Sequence, residues 1–248
     1  MFDVGSLGTI MAIFAHPDDE TFTCGGLLSM AVDNGQTVVC VTATRGEAGI
    51  RDEKRWPAHK LGQIREDELK EALKILGVKS HHWLGYEDGR CHQITDSEAV
   101  AQLTKLADKY QPDTILTFGP DGLTGHQDHQ AASRWANLVV KQSNKPAEIY
   151  YVIDSEEQYH DFTKAADEKF DIYFNIDQPT LVSRAKCDIC LKLPTDVIKK
   201  KVASLKAQVS QTDAMFQENN EDWFNKVYAY ETFVNAKRHD IKWQTALS

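Results

Sequence analysis

The sequence predicts an α/β protein built around a doubly wound, mostly parallel β-sheet. Short apolar runs of strand length alternate with longer stretches of helical periodicity, and turn-forming residues separate the two kinds of segment. Such alternation is typical of a parallel sheet, in which right-handed crossovers place helices on both faces. The expected strand order is 3-2-1-4-5, followed by a C-terminal extension.

The individual elements follow from local signals. A buried strand is predicted at residues 8–15, because this apolar run has strand length and stops at His16-Pro17. The proline suits the first turn of a helix, which is predicted to end before residues 33–35. Within this helix, Gly25-Gly26 predicts close packing against the sheet. The same signals predict further strands at 37–44, 82–85, 114–118 and 148–153. They predict helices at 61–76, at 95–110 and after 128. Residues 45–60 are predicted to form a long loop.

The part of the chain after residue 155 carries weaker signals. It is predicted to contain a further element at 171–176, a helix at about 195–210 and a strand-like run at 227–234. Cys187 and Cys190 form a lone C-x-x-C, which we expect to pack in a helix, since no second cysteine pair accompanies it. The length of 248 residues fits a single domain.

Composition and charge argue against several classes of protein. The formal net charge of -9 disfavours a nucleic-acid binder, which needs a basic surface, and disfavours docking on an anionic membrane. No apolar run approaches the roughly 20 residues that span a bilayer, and the N-terminus does not resemble a signal peptide. The five cysteines are expected to be reduced thiols, which predicts a cytoplasmic location. The oligomeric state stays open, a homo-oligomer included.

Two clusters of polar residues follow the first and fourth predicted strands, at the point where the strand order reverses and ligands commonly bind. The first is His16-Pro17-Asp18-Asp19-Glu20, and the second is His126-Gln127-Asp128-His129. Imidazole and carboxylate groups are normal ligands of catalytic zinc. His16 and Asp19 are three residues apart, and the two histidines of the second cluster share that spacing, so each pair can converge on one ion. The remaining carboxylates and imidazoles can transfer protons.

These two clusters closely resemble the motifs of the LmbE/PIG-L family of N-acetylglucosaminyl deacetylases. The resemblance rests on Ala15-His16-Pro17-Asp18-Asp19-Glu20 and on Gly125-His126-Gln127-Asp128-His129. It includes the loop Thr44-Arg45-Gly46-Glu47 and the helix of Arg65, and it becomes faint after about residue 155. It implies a Rossmann-like core at residues 1–155. One departure is Gln127, where the family commonly has proline, so the backbone regains an N–H donor and a free φ.

The resemblance also implies a cofactor and a role for individual residues. His16, Asp19 and His129 look like the ligands of one Zn²⁺ per chain, although other divalent metals suit such ligands as well. Asp18 looks like the general base that deprotonates the zinc-bound water. His126 looks like the residue that stabilises the oxyanion or protonates the departing amine.

Three further residues complete the implied site. Asp128 is similar to the carboxylate that orients and tunes the catalytic histidine of the family. Arg65 resembles the substrate-binding arginine, and the alternative for it is an intrahelical pair with Glu66 or Glu68. Glu47 is assigned to substrate binding because it lies in the long loop, and a solvated loop position is the alternative.

The expected function is therefore zinc-dependent hydrolysis of the acetamide of a small N-acetylglucosamine-containing molecule. The substrate would be a sugar conjugate or a chito-oligosaccharide, and the products would be acetate and the free amine. We expect one domain over residues 1–248, in which residues 156–248 cover one side of the pocket and tune the choice of substrate.

Two other functions compete with this one. The first is another metal-dependent hydrolase, such as a phosphoesterase, but a dinuclear site would need more carboxylate ligands than the two clusters provide. The second is a non-catalytic sugar-binding homologue. A protein that only binds has no need of both proton-transfer candidates, Asp18 and His126, and no G-x-G-x-x-G motif follows the first strand to indicate a dinucleotide site.

Overall fold

A computed structural model describes residues 2–244 of the chain. The strands are β1 (Ile10–Phe14), β2 (Val38–Thr44), β3 (Ser80–Tyr86), β4 (Thr114–Phe118), β5 (Glu148–Val152), β6 (Asp154–Ser155), β7 (Leu181–Val182), β8 (Ile189–Lys192) and β9 (Tyr230–Asn235). The helices are α1 (Asp19–Asp33), α2 (Ala58–Leu76), α3 (Asp96–Tyr110), α4 (Gln127–Gln142), α5 (Glu156–Gln158), α6 (Lys164–Phe170), α7 (Thr195–Ala207), α8 (Val209–Glu218) and α9 (Glu221–Val227). One π-helical turn, Tyr159–Thr163, joins α5 to α6.

The predicted fold class and strand order are confirmed. Seven strands form one sheet in the order β3-β2-β1-β4-β5-β9-β8, and the five strands from β3 to β5 are parallel. The last two strands add in antiparallel orientation, β9 to β5 and β8 to β9. The residues after 155 therefore extend the sheet instead of only lying over it.

Three details of the predicted C-terminal part are wrong. Residues 171–176 form turns, because Asp171 adopts a left-handed backbone conformation (φ 51°) directly after α6. Cys190 lies in β8 and Cys187 in the preceding loop, so neither packs in a helix. The helix predicted at 195–210 is two helices, because the backbone of Gln208 (φ -98°, ψ 46°) breaks the helical path.

Two apolar layers enclose the sheet. Strands β1, β2 and β4 are buried along their whole length, as expected for parallel strands covered on both faces. On one face, α1, α2 and α7 supply residues such as Leu27, Leu69 and Val197. On the other face, α3 and α4 supply residues such as Leu103 and Trp135. The sheet is thus held rigidly, and the loops at its carboxyl edge start from fixed positions.

Helix α1 is locked to the C-terminal part by a buried ion pair. The Glu231 carboxylate on β9 accepts the backbone N–H groups of Gly26 and Leu27 at 2.8 and 2.7 Å. The Lys201 ammonium on α7 lies 2.6 Å from the same carboxylate, and both side chains are buried. A Cβ atom at Gly26 would come within 2.9 Å of Glu231 Oε1 and would collide with Leu193, so glycine permits this close packing.

Helix α4 begins at Gln127, and His126 is its N-cap. His126 has an extended backbone (φ -64°, ψ 131°), and its Nδ1 accepts the Asp128 N–H at 3.1 Å. Gln127 is therefore the first helical residue. Proline is well tolerated there, because the first N–H of a helix has no intrahelical acceptor and an extended preceding residue avoids the proline ring. The departure from the family motif at Gln127 consequently leaves the path of the chain unchanged.

We predict that Gln127→Pro raises the free energy of unfolding by about 0.4–1 kcal/mol, because it restricts the unfolded chain without removing a hydrogen bond. The matched control is Gln130→Pro in the same turn, whose N–H donates to the His126 carbonyl at 3.1 Å. This control should lose about 3 kcal/mol. Urea unfolding of both variants measures the difference, and an equal loss in both would contradict the assignment of the helix start.

Candidate active site

The two polar clusters predicted from the sequence meet at the carboxyl ends of β1 and β4. The chain leaves β1 at Phe14 and enters α1 at Asp19 through a tight turn. Asp18 in this turn has a φ of 98°, a region that costs a non-glycine residue about 1–3 kcal/mol. Its side chain makes no helix-capping hydrogen bond. Strain of this kind persists where the surroundings fix the backbone, and here it places two adjacent carboxylates at the edge of the sheet.

Three side chains converge at a separation that fits one metal ion. His16 Nδ1 lies 3.1 Å from His129 Nε2 and 3.6 Å from Asp19 Oδ2. Asp19 Oδ1 lies 3.4 Å from His129 Nε2. Ligand atoms at about 2.0–2.2 Å from a tetrahedral zinc ion are about 3.3–3.6 Å apart. The three side chains are buried and can hold a zinc ion with little rearrangement.

The ring of His129 is fixed in a suitable orientation and tautomer. Its Nδ1 donates to the Gly122 carbonyl at 2.9 Å, which leaves Nε2 without a proton and free to bind a metal. The ring also stacks on Phe118, with parallel planes and centroids 4.0 Å apart. Residue 122 has a φ of 72°, so glycine is required for this turn of the loop.

His16 is held on the side away from His129 by two carboxylates. Its Nε2 lies 3.0 Å from Asp88 Oδ1 and 3.4 Å from Asp128 Oδ2. A histidine that ligates a metal commonly donates its other ring N–H to a carboxylate. The contacts of Nε2 therefore favour Nδ1 as the ligand atom, which is the nitrogen that faces Asp19 and His129.

The protonation of this cluster reflects burial and close charges. Burial disfavours the charged form of His16, but hydrogen bonds with Asp128 and Asp88 raise its pKa to about 10. Burial raises the pKa of Asp19 to about 8 and lowers the pKa of His129 well below its usual value. A bound cation would favour the neutral imidazoles and the ionised carboxylate, so the donor set suits a divalent metal.

Arg65 is buried and connects the turn after β1 to the loop after β2. Its Nη2 lies 3.1 Å from Asp18 Oδ2 and donates to the Pro17 carbonyl at 2.5 Å, while Nη1 donates to the Gly46 carbonyl at 2.8 Å. Burial raises the pKa of Asp18, and the Arg65 guanidinium opposes that shift. The arginine thus holds the Asp18 carboxylate in one position.

The intrahelical alternative for Arg65 is wrong. Glu66 pairs with Arg45 at 2.7 Å, and Glu68 accepts the N–H and hydroxyl of Ser210 at the start of α8. Because both carboxylates have other partners, the Arg65 guanidinium can contact Asp18 and the backbone of the site instead.

His126 lies beside the metal-ligand candidates. Its ring centroid is 4.8 Å from that of His16 and 5.1 Å from that of His129. Its Nδ1 accepts the Asp128 N–H, so the neutral ring carries its proton on Nε2. Burial lowers its pKa, which keeps the ring neutral. Ligand atoms of His16, His126 and His129 lie within 4.8 Å of one another, so distance alone does not separate His126 from the metal ligands.

Asp128 contacts His126 through its backbone and His16 through its side chain. The carboxylate accepts the N–H groups of Gly89 and Cys91 at 2.7 and 2.9 Å, in addition to its 3.4 Å contact with His16 Nε2. Its geometry therefore differs from the sequence-based expectation, in which the carboxylate orients His126. Burial raises the pKa of Asp128, but the hydrogen bond and the charge of His16, together with the Gly89 N–H, outweigh burial and the net shift is downward.

Sequence reasoning missed Asp88, which follows β3. Its carboxylate lies 3.0 Å from His16 Nε2 and accepts the Ala48 N–H at 2.8 Å. Glu47 reaches the site only through it, by accepting the Asp88 N–H at 3.0 Å. The signal that could have found Asp88 is its place directly after a parallel strand, at the same sheet edge as the two motifs.

A cavity of about 950 Å³ opens on this cluster. Six of the eight predicted site residues line it, namely His16, Asp18, Asp19, Arg65, His126 and His129. Glu47 and Asp128 lie behind the lining. Glu47 contacts the lining residue Asp88, and Asp128 contacts the lining residue His16. Residues between 152 and 174 and between 201 and 232 form much of the remaining wall.

Comparison with known proteins agrees with the motifs. The family model described as "PIG-L: GlcNAc-PI de-N-acetylase" matches residues 11–140. A protein of Saccharomonospora viridis, named 1D-myo-inositol 2-acetamido-2-deoxy-alpha-D-glucopyranoside deacetylase, is 31% identical over 170 residues. The alignment covers 60% of this chain and 63% of that relative, so the chain matches less than two thirds of the relative's length.

Solved structures show the same fold. The N,N'-diacetylchitobiose deacetylase from Pyrococcus horikoshii superposes with a TM-score of 0.67 at 24% identity, over 94% of this chain and 87% of that one. GalB, the 4-carboxy-2-hydroxymuconate hydratase of Pseudomonas putida, superposes with a TM-score of 0.61 at 17% identity, over 95% and 98%. Proteins with this fold thus catalyse more than one reaction, so the residues of the site, and not the fold, determine the reaction. The family itself is shown by the sequence match, which extends over more than half of the residues and includes both motifs: the chain belongs to the PIG-L (LmbE-like) family.

Proposed function

We propose that this protein is a zinc-dependent deacetylase. It hydrolyses the acetamide of an N-acetylglucosamine unit in a small molecule, a sugar conjugate or a chito-oligosaccharide, and releases acetate and the free amine. The observation that carries the proposal is the convergence of His16 Nδ1, Asp19 and His129 Nε2 within 3.1–3.6 Å of one another, beside Asp18 and on a cavity. The Saccharomonospora viridis relative, named for deacetylation of a 2-acetamido-2-deoxy-glucopyranoside, supports the choice of reaction.

His16, Asp19 and His129 would hold the zinc ion, which supplies Lewis acidity towards a water molecule and the acetyl carbonyl. Asp18 is the general base. Its carboxylate lines the cavity and is held by Arg65 at 3.1 Å, so it is positioned to accept the proton of the attacking water. A carboxylate with a raised pKa binds that proton more readily and can return it to the departing amine nitrogen.

His126 stabilises the developing oxyanion. Because its Nδ1 is engaged by the Asp128 N–H, the proton on Nε2 is the one that can be donated to the carbonyl oxygen as negative charge develops there. The low pKa that burial gives this ring keeps it a neutral donor. The N-cap position on α4 fixes the ring, so the donor is in place before the reaction.

Four residues act through others. Asp88 and Asp128 orient His16 through its Nε2, and Glu47 holds the loop of Asp88. Arg65 positions Asp18, and its contact with substrate stays a prediction. Catalysis requires each of these groups to be in place before substrate binds.

The competing functions have less support. A second ion for a phosphoesterase would have to use Asp88 and Asp128 beside His16 Nε2, where ligand atoms lie within 4.8 Å of one another. Both oxygens of Asp128 accept backbone N–H groups, from Gly89 and Cys91, whereas only one oxygen of Asp19 does so, which makes Asp128 the poorer metal ligand. A protein that only binds sugars would not need both Asp18 and His126 on the cavity wall.

We also propose that residues 1–248 act as one domain, in which residues 156–248 cover one side of the cavity and tune substrate choice. Residues on both sides of position 155 line the cavity, which supports this division. Within residues 2–244, the helices are either too short or too polar to cross a bilayer. The cytoplasmic location and the oligomeric state stay predictions.

We predict that Asp18→Asn retains about one zinc per chain but loses about 10²- to 10⁴-fold in kcat, because the base is removed while the ligands remain. Amine release from N-acetylglucosamine conjugates and metal analysis on the same sample measure both effects. The matched control is Asp171→Asn. Asp171 also lines the cavity, is exposed and has a φ of 51°, which asparagine tolerates, so activity should be unchanged. Metal-loaded wild type without amine release from any N-acetylated sugar would overturn the reaction class.

We predict that His126→Gln keeps the zinc but lowers kcat by about 10²- to 10³-fold, as removal of an oxyanion donor does. Asp19→Asn, by contrast, should lose most of the metal, because it removes a ligand. Metal content after dialysis and kcat distinguish the two variants. If His126→Gln loses zinc and Asp19→Asn keeps it, the ligands are His16, His126 and His129, and the assigned roles are wrong.

A further inference from the structure

The segment 236–244, which follows β9, runs back across the sheet towards the candidate active site. It starts where the Ala236 N–H donates to the Ile149 carbonyl at 2.9 Å, near the amino end of β5. Seven residues later, Trp243 packs against Gly119, which directly follows the carboxyl end of β4. The segment therefore crosses from the amino edge of the sheet to the carboxyl edge, where the metal-ligand candidates lie.

The indole ring of Trp243 packs directly on the backbone of Gly119. A Cβ atom at that glycine would come within 2.2 Å of indole Cζ3 and 2.7 Å of Cη2, so alanine there would force the ring or the backbone to move. The indole also meets the ring of Tyr151 on β5 edge to face, with centroids 5.5 Å apart. A partly buried, rigid ring thus rests on the chain at the point where β4 ends.

Gly119 lies between the two groups that orient the His129 ring. Phe118, the residue before it, stacks on that ring with centroids 4.0 Å apart. Gly122, three residues after it, donates its N–H to the Gly119 carbonyl at 2.9 Å and accepts the proton of His129 Nδ1 at 2.9 Å. A shift of the backbone at Gly119 would therefore move both the stacking partner and the hydrogen-bond acceptor of a metal-ligand candidate.

A second contact of the same segment reaches this loop through Thr180. The Gln244 N–H donates to Thr180 Oγ1 at 2.9 Å, and the Thr180 N–H donates to the Asp121 carboxylate at 3.3 Å. Asp121 also accepts the Leu123 N–H at 3.0 Å. Asp121 and Thr180 are buried, so water would not readily replace these hydrogen bonds. The segment thus holds the loop on both sides of Gly122.

We propose that Trp243 is a positioning residue for the metal ligand His129, and that the segment 236–244 raises zinc affinity by holding the loop after β4. The inference rests on the metal ligands of the deacetylase function proposed above. Trp243 is outside the lining of the cavity and acts through Gly119. Contacts behind metal ligands commonly contribute about 10- to 100-fold to metal affinity, because a ligand that is held beforehand loses less entropy on binding.

Zinc affinity, measured by competition with a chromogenic chelator, tests this role without depending on catalysis. Trp243→Ala should raise the zinc Kd by about tenfold or more, because the His129 ring is no longer held in one orientation. The matched control is Tyr110→Ala, which removes a partly buried aromatic ring from the same face of the sheet. Tyr110 ends α3 and its hydroxyl pairs with His82, so the control should keep the wild-type Kd. If Kd rises in both variants in proportion to their loss of stability in urea, Trp243 is only structural and the proposal is wrong.

Gly119→Ala tests the contact itself. The three atoms nearest to the added Cβ all belong to the Trp243 ring, so this variant should also raise the zinc Kd by about tenfold. In the double variant Gly119→Ala/Trp243→Ala the collision is absent, and Kd should be no higher than in Trp243→Ala alone. Two effects that multiply in the double variant would be independent of each other and would overturn the proposal.

Zinc affinity and amine release together separate this positioning role from the proposed reaction. If Trp243→Ala binds zinc as tightly as wild type, while wild type releases amine from N-acetylglucosamine conjugates, the positioning role is wrong and the deacetylase function stands. If Trp243→Ala binds zinc more weakly than wild type and Tyr110→Ala does not, the positioning role stands even when wild type releases no amine from any N-acetylated sugar.

Discussion

The site depends on the way His16 is held from both sides at the end of β1. Its Nε2 faces Asp88 at 3.0 Å, which lies in the loop after β3, and Asp128 at 3.4 Å, which lies in the first turn of α4. This contact directs Nδ1 towards Asp19 and His129. A metal ligand that could rotate would lose its alignment, and two buried carboxylates would then lose their partner. The same interaction therefore stabilises the edge of the sheet and prepares the metal site.

The C-terminal part of the chain contributes to this arrangement from a distance. The carboxylate of Glu231 binds backbone N–H groups of α1, and Lys201 compensates its charge in the interior. Removing one partner of such a pair leaves an unpaired buried charge, which makes the contact a strong constraint on the position of α1. Because α1 begins at Asp19, the strands and helices added after residue 155 fix one metal-ligand candidate as well as forming the cavity wall.

Local patterns in the sequence were sufficient for the parallel part of the sheet and for both motifs. The strand order from β3 to β5 followed from alternating periodicity, and the motifs fell at the carboxyl ends of β1 and β4 as expected for such a sheet. The antiparallel strand β8 was missed, because its four residues, which include Cys190, carry no strand-length pattern. The partners of Arg65 and Asp128 were also beyond prediction, since they lie 19 to 112 residues away along the chain and depend on tertiary packing.

The proposed chemistry requires one zinc ion to bind on the Nδ1 side of His16. A crystal structure of the zinc-loaded protein, with anomalous diffraction collected at the zinc absorption edge, tests it most directly. We expect one anomalous peak, with His16 Nδ1, a carboxylate oxygen of Asp19 and His129 Nε2 at about 2.0–2.2 Å. A peak on the other side of the ring, between His16 Nε2, Asp88 and Asp128, would contradict it.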